Sequence, residues 1–437
     1  MRKSNNDSVQ TVKRSYRRFI VGLTALAVSA TICAQDFTRL SERTIMGTAR
    51  YVGMAGAMSA IGGDPSAVRD NPAGLGLYRR TEVLVSLDYA DVFTLAQGSW
   101  VLSIPMNTTS VKGLQYHNIM FSYHRLHSYE REWKLVTEGR DISLGSILPP
   151  LEIPYCNEQY NSYNDMILRE YGMVHEFDLS WGANFADKWY FGAGLHIQNY
   201  NFSSYGDYLE KFEYYSYKQL WSNQNVTSLI MTGASCNAAL GVIYRPLMWL
   251  RLGFGIETPS FGSINRYAEG TFSAQTDSLR VAPKYITRGS EKSYHQPFRT
   301  TFSTTFQVGA YGLFALQYDY AHAPYMNDLH TMKIGIEAIP ILGLYLNLGY
   351  VYESTFKPYK AVSMDPSFQR QDTYSIALRA SQYASVGFGY RGQYMIVQAA
   401  YQFHWRQNAF FTHEKATPYD VYQDTHRVVL TLGWHRD

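Results

Sequence analysis

From Phe177 to Asn199 the chain alternates between two kinds of side chain almost without a break. Phe177, Leu179, Trp181, Ala183 and Phe185 share one parity, against Asp178, Ser180, Gly182 and Asn184. After Ala186-Asp187-Lys188 the pattern resumes, with Trp189, Phe191, Ala193, Leu195 and Ile197 against Tyr190, Gly192, Gly194, His196 and Gln198. A period of two means strands with unlike faces, and the short polar interruption makes the pair a hairpin. Strands of this kind fit either a sandwich, with the greasy face packed inward, or a closed barrel, with that face turned to lipid.

The same period runs through most of the chain. Val83, Val85, Leu87 and Tyr89 share one parity, and near the end so do His426, Val428, Leu430, Leu432 and Trp434. Further hairpins are expected at 229–258, 296–320, 330–353 and 382–405, with turns near Pro246, Gly309, Pro340 and Gly392. Pro105 marks the end of an early strand, because proline cannot serve a central ladder. Long polar connections are expected at 128–171, 205–228, 259–295, 321–329, 354–381 and 406–423. The sum is about fourteen strands, in which tight turns alternate with long loops. That rhythm, with Gly, Ser, Thr and Gln on the non-greasy face, predicts an all-β fold: a closed antiparallel transmembrane barrel over 82–437. An even strand count puts both chain ends on the periplasmic side.

Composition agrees. Charged residues make up 17% of the 437 residues, against roughly a quarter in soluble domains. Tyrosines number 37, a residue suited to boundaries between apolar and wet surroundings. Mean hydropathy is −0.26, which argues against a helical membrane protein. The net charge is +3 with no basic run in the mature part, so nucleic acid is not an expected partner.

The N-terminus reads differently. Basic residues through Arg18 precede an apolar run from Phe19 to Ala30, which predicts a secretory signal, residues 1–34, cleaved after Ala34. Ile32 before Cys33 is too bulky for a lipidation signal, and Cys156 and Cys236 are expected to be unpaired thiols. Residues 35–81 follow. Their stretch from Gly47 to Leu77 is rich in Gly, Ala and Ser and cannot bury enough apolar surface to fold alone. It is expected to be a plug filling the barrel lumen, with Arg50, Arg69, Asp64 and Asp70 as its charges. Asn71-Pro72 reads as a capped helical start.

The plug carries a resemblance. Asn71, Pro72 and Ala73, followed by Gly74 and Leu75, resemble the N-P-A element of the FadL/TodX/OmpP1 family of outer-membrane channels. Gly53, Gly56, Ala57 and Ala60, with Asp64 at the acidic position, resemble the small-residue run before it. The run from Ala34 to Ala57 is similar to the Bacteroidetes-type branch. The resemblance implies passive uptake of hydrophobic molecules such as long-chain fatty acids, with Gly53, Gly56, Asp64, Asn71, Pro72, Ala73, Gly74 and Leu75 as gate residues. It also implies a place in the bacterial outer membrane, among its lipid and lipopolysaccharide, and sideways release through a gap between strands. One departure is the tail: Trp434, the expected last girdle residue, is followed by His435, Arg436 and Asp437.

Inward parity nominates Arg299, Lys333 and His196 as contacts for a carboxylate head group, although lumen charges commonly pair, Lys333 with Glu337 or Asp319 for instance. His117, His124 and His127 raise haem uptake, but their spacing has no closed metal pattern, and alternation would put His124 and His127 on opposite faces. No G-x-S-x-G occurs, and Ser and His show no constellation for hydrolysis, so no enzyme, metal or cofactor is expected. The remaining alternative is a barrel serving secretion or surface attachment through its long loops. A monomer is expected.

Overall fold

The computed structural model describes residues 40–436 except 91–92, 106–112, 140–159, 215–219, 277–279, 325, 356–373, 378 and 412–418. The signal segment, Cys33, residues 35–39 of the expected plug and Cys156 therefore lie outside the described residues; Cys236 is a free, exposed thiol. The strands in chain order are β1 (Thr81–Tyr89), β2 (Phe93–Pro105), β3 (Leu114–Ser128), β4 (Arg131–Gly139), β5 (Tyr160–Phe185) and β6 (Trp189–Tyr214). Next come β7 (Leu220–Leu247), β8 (Leu250–Glu257), β9 (Phe261–Thr276), β10 (Arg280–Tyr294), β11 (Phe298–Val308) and β12 (Gly312–His322). Last are β13 (Leu329–Ile341), β14 (Leu344–Glu353), β15 (Tyr374–Ala377), β16 (Ser381–Arg391), β17 (Met395–Phe411) and β18 (Tyr419–Arg436).

All belong to one antiparallel sheet, and β1 pairs with β18, so the sheet closes into a ring. Four staves are interrupted. β3 and β4 both pair with β5, β8 and β9 both pair with β7, β10 and β11 run alongside β9 and β8, and β15 and β16 both pair with β17. The ring thus has 14 staves. Closure leaves no open edge, which is what a strand protein in lipid requires.

The parities fall as expected. Val83, Val85, Leu87, Phe177, Leu179, Trp181, Phe191, Leu195, Leu430 and Leu432 all face outward and are exposed. A continuous greasy band on the outside of a closed barrel is a lipid-facing surface. Beside the tight turns the band ends in Trp189, Trp249, Tyr311, Tyr390, Tyr394 and Trp434, all exposed, with Trp189 stacked on Tyr244 at 4.1 Å. This is the aromatic girdle of one membrane boundary, and Trp434 takes its expected place in it. The strand turns lie where they were expected or close by; the 330–353 hairpin turns at Leu342-Gly343, two residues beyond Pro340. Pro105 is the last residue of β2.

The described residues of the expected long loops at 128–171, 205–228, 259–295 and 406–423 are largely strand instead. β5, β6 and β7 run for 26, 26 and 28 residues, whereas a tilted strand crosses lipid in about 9–11. The surplus continues the barrel wall beyond the membrane, and there the polarity inverts. On β6, Tyr200, Phe202 and Tyr208 point inward and are buried, while Asn201 and Asp207 point outward. Lipid favours grease outside; water above the membrane favours grease inside. Polar residues on the outer face made these stretches read as loops.

The N-terminal segment lies inside the ring. It folds as α1 (Ala49–Gly53), α2 (Pro65–Asp70) and a 3₁₀ helix (Pro72–Leu77), and Val52, Met54, Ala55, Met58, Val68, Ala73 and Leu75 are wholly buried. The amide of Ala49 donates to Thr431 of β18, that of Ser59 to Gln317 of β12, and the hydroxyl of Ser66 to Gln97 of β2. Partners spread this way around the wall place the segment within it.

Candidate functional site

The interior is built on close contact between light backbones. The backbone carbonyl of Pro72 and the amide nitrogen of Ala73 lie directly on Gly192 of β6, and Asn71 Oδ1 lies directly on Gly241 of β7. A side chain at either glycine would collide with that backbone or cap. Glycines on the polar parity, which suggested a wet lumen, are in fact the seats of the segment.

The expected gate residues mostly serve its internal order. Asp64 caps α2, accepting from Ser66 N at 2.9 Å and from Thr48 Oγ1 at 2.7 Å. Asn71 caps the 3₁₀ helix through Ala73 N at 3.1 Å and donates to Ser59 O at 3.2 Å. Pro72 stands at the first helical position. Gly53 O accepts from Ser385 of β16, and Gly56 has φ +73°, a conformation that favours glycine. Gly74 O accepts from Gly63 N, and Leu75 O from Asn118 Nδ2 at 2.6 Å.

Three arginines tie the segment to the wall. Arg43 meets Glu257 of β8 at 2.5 and 2.8 Å, Arg50 meets Glu337 of β13 at 2.7 and 2.8 Å, and Arg69 meets Glu176 of β5 at 2.7 Å. The glutamates are all buried, and each guanidinium supplies them a charge partner from the segment.

The nominated head-group contacts are not brought together. Lys333 Nζ is 2.7 Å from Asp319, the partner suggested by strand proximity, and 3.9 Å from Asp70; Glu337 pairs with Arg50 instead. His196 Nδ1 is hydrogen-bonded to Asp178 within a wall network that also holds His124 and Ser122. Arg299 Nη2 donates to Ser41 O at 3.1 Å and lines an internal cavity; neither Lys333 nor His196 lines it.

Sequence reading missed that network. Ser122, His124 and Asp178 do meet, but hydroxyl and carboxylate both approach the same nitrogen, Nε2 of His124, at 3.0 Å. A nucleophilic relay needs them on opposite ring nitrogens. Glu176, Asp178 and His196 also have donor atoms within 4.8 Å of one another. Their oxygens are engaged by Arg69, Gln198, Ser122, His124 and His196, which makes the group a charge network anchored on the N-terminal segment. His124 and His127 are both buried on the inner side, contrary to the expected opposite faces, because the pairing with β5 shifts register between Arg125 and His127. His117 has the opposite parity to buried Asn118 and Met120, so the three histidines raised for haem do not converge.

The cavity, about 480 Å³, lies above the segment. Arg43, Arg131, Arg299, Arg379, Arg406 and Arg427 line it against Glu42, Glu130, Glu132, Glu353 and Asp424, and Leu329 borders it. Leu329 also belongs to a buried apolar cluster inside the wall, with Leu40, Tyr129, Phe202, Met231 and Ile264. A charged, arginine-rich chamber thus adjoins a greasy one.

No family model matches the sequence, and no curated protein matches it. Solved structures do. A Pseudomonas aeruginosa FadL homologue is similar with a TM-score of 0.58 and 13% identity, over 90% of this chain and 99% of that one. The P. putida toluene transporter TodX aligns with a TM-score of 0.51 and 12% identity over 90% and 99%. The CymD monoaromatic hydrocarbon channel gives 0.52 and 9% over 91% and 99%. At these identities the likeness is one of fold: the chain has the architecture of those barrels along nearly its whole length.

Proposed function

We propose that this chain is an outer-membrane channel for the passive uptake of hydrophobic or amphipathic small molecules, with residues 35–81 as its movable hatch. The observation that carries the reading is the buried apolar cluster inside the upper wall, directly above a lumen filled by the N-terminal segment. A water pore has a polar interior; here Tyr129, Phe202, Met231 and Ile264 turn inward. The fold shared with a FadL homologue and two hydrocarbon channels supports it.

The sequence of events follows from the layout. A molecule with a greasy body leaves the outer leaflet for the inner apolar cluster, because water-filled routes exclude it. Passage further down requires the segment on Gly192 and Gly241 to shift. Its ties to the wall are separate side-chain pairs and hydrogen bonds rather than a shared strand ladder, and much of the contact is made by small residues, so it can move without unfolding the wall. Sideways release would require a seam between staves to part; among the described residues β4, β10 and β15 each form a ladder with one neighbour, β5, β9 and β17. The test is accumulation of a fluorescent fatty acid and of toluene in liposomes holding the purified protein. Uptake above that of empty liposomes is expected; equal uptake would reject the reading.

A further inference from the structure

Three consecutive residues of the N-terminal segment occupy the two chambers above it. Leu40, 1% exposed, sits in the apolar cluster with Leu126, Tyr129 and Met326. Ser41 is held at both ends: its hydroxyl is 2.8 Å from that of Tyr294, and its carbonyl accepts from Arg299. The Glu42 carboxylate reaches the charged chamber, where Arg406 Nη1 and Arg131 Nη2 lie 3.5 and 3.7 Å from its Oε2, and where His127 Nε2, 3.6 Å from the same oxygen, faces Arg131 Nη2 at 3.3 Å. The two cations come from β17 and β4, so two separate strand segments of the wall build one anion site. The side chains of Arg406 and Arg131 are only 9% and 14% exposed. A site of buried cations is costly without an anion, and the chain supplies its own.

Resting on the uptake reading, we infer that Leu40-Ser41-Glu42 is a built-in stand-in for an amphipathic carboxylic acid. The incoming acid places its carboxylate where Glu42 lies and its greasy body where Leu40 lies. The two carboxylates compete for Arg131 and Arg406, and a bound acid leaves Glu42 without its cations. Occupancy therefore loosens the start of the segment, seven residues before α1 begins at Ala49. A neutral hydrocarbon competes only with Leu40 and lacks this lever. The stand-in thus makes the site discriminate by head-group charge.

The probes are dodecanoate, the neutral dodecanol and acetate, measured by calorimetry on the full-length barrel in a non-ionic detergent. Glu42→Gln keeps the shape and removes the competing charge, so dodecanoate should bind roughly tenfold more tightly while dodecanol is unchanged. Arg406→Gln should erase the preference for dodecanoate over dodecanol. Both variants should keep the heat-modifiable gel mobility of a folded barrel. Dodecanoate affinity unchanged or weaker in Glu42→Gln would overturn the inference, even with dodecanol bound and uptake intact. Acetate binding as tightly as dodecanoate would overturn the amphipathic part, leaving only an anion site. If no greasy probe binds either protein, the uptake reading falls as well.

Discussion

Arg50 grips Glu337 with two parallel hydrogen bonds, at 2.7 and 2.8 Å, across 287 positions of sequence. It is the strut between α1 and the wall strand β13, and Glu337 is 4% exposed. Breaking a buried pair by removing one partner costs about 3–5 kcal/mol, chiefly because the other charge is stranded. Arg50→Ala should therefore loosen the N-terminal segment while the wall, held by its own ladder, remains folded. Limited proteolysis within 40–78 should become faster, with no change in barrel mobility on gels. The double variant Arg50→Ala with Glu337→Gln should recover part of the protection.

The seats should be intolerant of side chains. Valine at Gly192 or Gly241 collides with Pro72 or Asn71, whereas a side chain at Gly98 meets open space. Gly192→Val should raise ion conductance of the barrel in planar bilayers by displacing the segment, and Gly98→Ala should not. Conductance unchanged in both would show that the segment does not block the lumen.

Asn71 has two roles, as cap and as tie. Asn71→Ala removes the acceptor for Ala73 N and the donor to Ser59 O. Loss of a cap costs about 0.5–2 kcal/mol. Amide exchange of the 3₁₀ helix should speed up by roughly 2- to 30-fold, by the same cost, while exchange in β6 and β7 stays as it was.

The outward parity can be checked on adjacent residues of β14. Leu348 is 57% exposed on the lipid face and Asn347 is 1% exposed on the inner face. Leu348→Arg should destabilise the barrel by about 2–4 kcal/mol in lipid if it lies near the midplane, measured by urea unfolding in liposomes. Leu348→Phe should be nearly neutral.

The membrane-crossing part of the wall was legible because lipid imposes an alternation that no other environment imposes on that scale. Val83-Leu84-Val85 and the 177–197 hairpin carried it openly. The upper wall was hidden by the same physics: once Tyr200 and Phe202 face in and Asn201 faces water, the outer side resembles a loop. One residue of register shift between Arg125 and His127 defeated the face assignment of His127, and parity alone cannot show such a shift. Asn71-Pro72 was readable as a cap because its contacts are local. Partners such as Glu176 for Arg69 and Glu257 for Arg43 were not, since they lie 107 and 214 positions away and one sequence carries no record of pairing. Lys333 and Asp319 were readable only because neighbouring strands bring them together.

The central claim is that the N-terminal segment is a hatch that must move. Ser59 and Gln317 face each other across the hatch–wall contact, joined by a 3.1 Å hydrogen bond. With Cys156 and Cys236 replaced by serine, Ser59→Cys and Gln317→Cys can be joined by a short cleavable linker. Uptake of a fluorescent fatty acid into liposomes should fall to the empty-liposome rate when the linker is in place and return when it is cut. Uptake that continues at full rate with the segment locked to β12 would contradict the account.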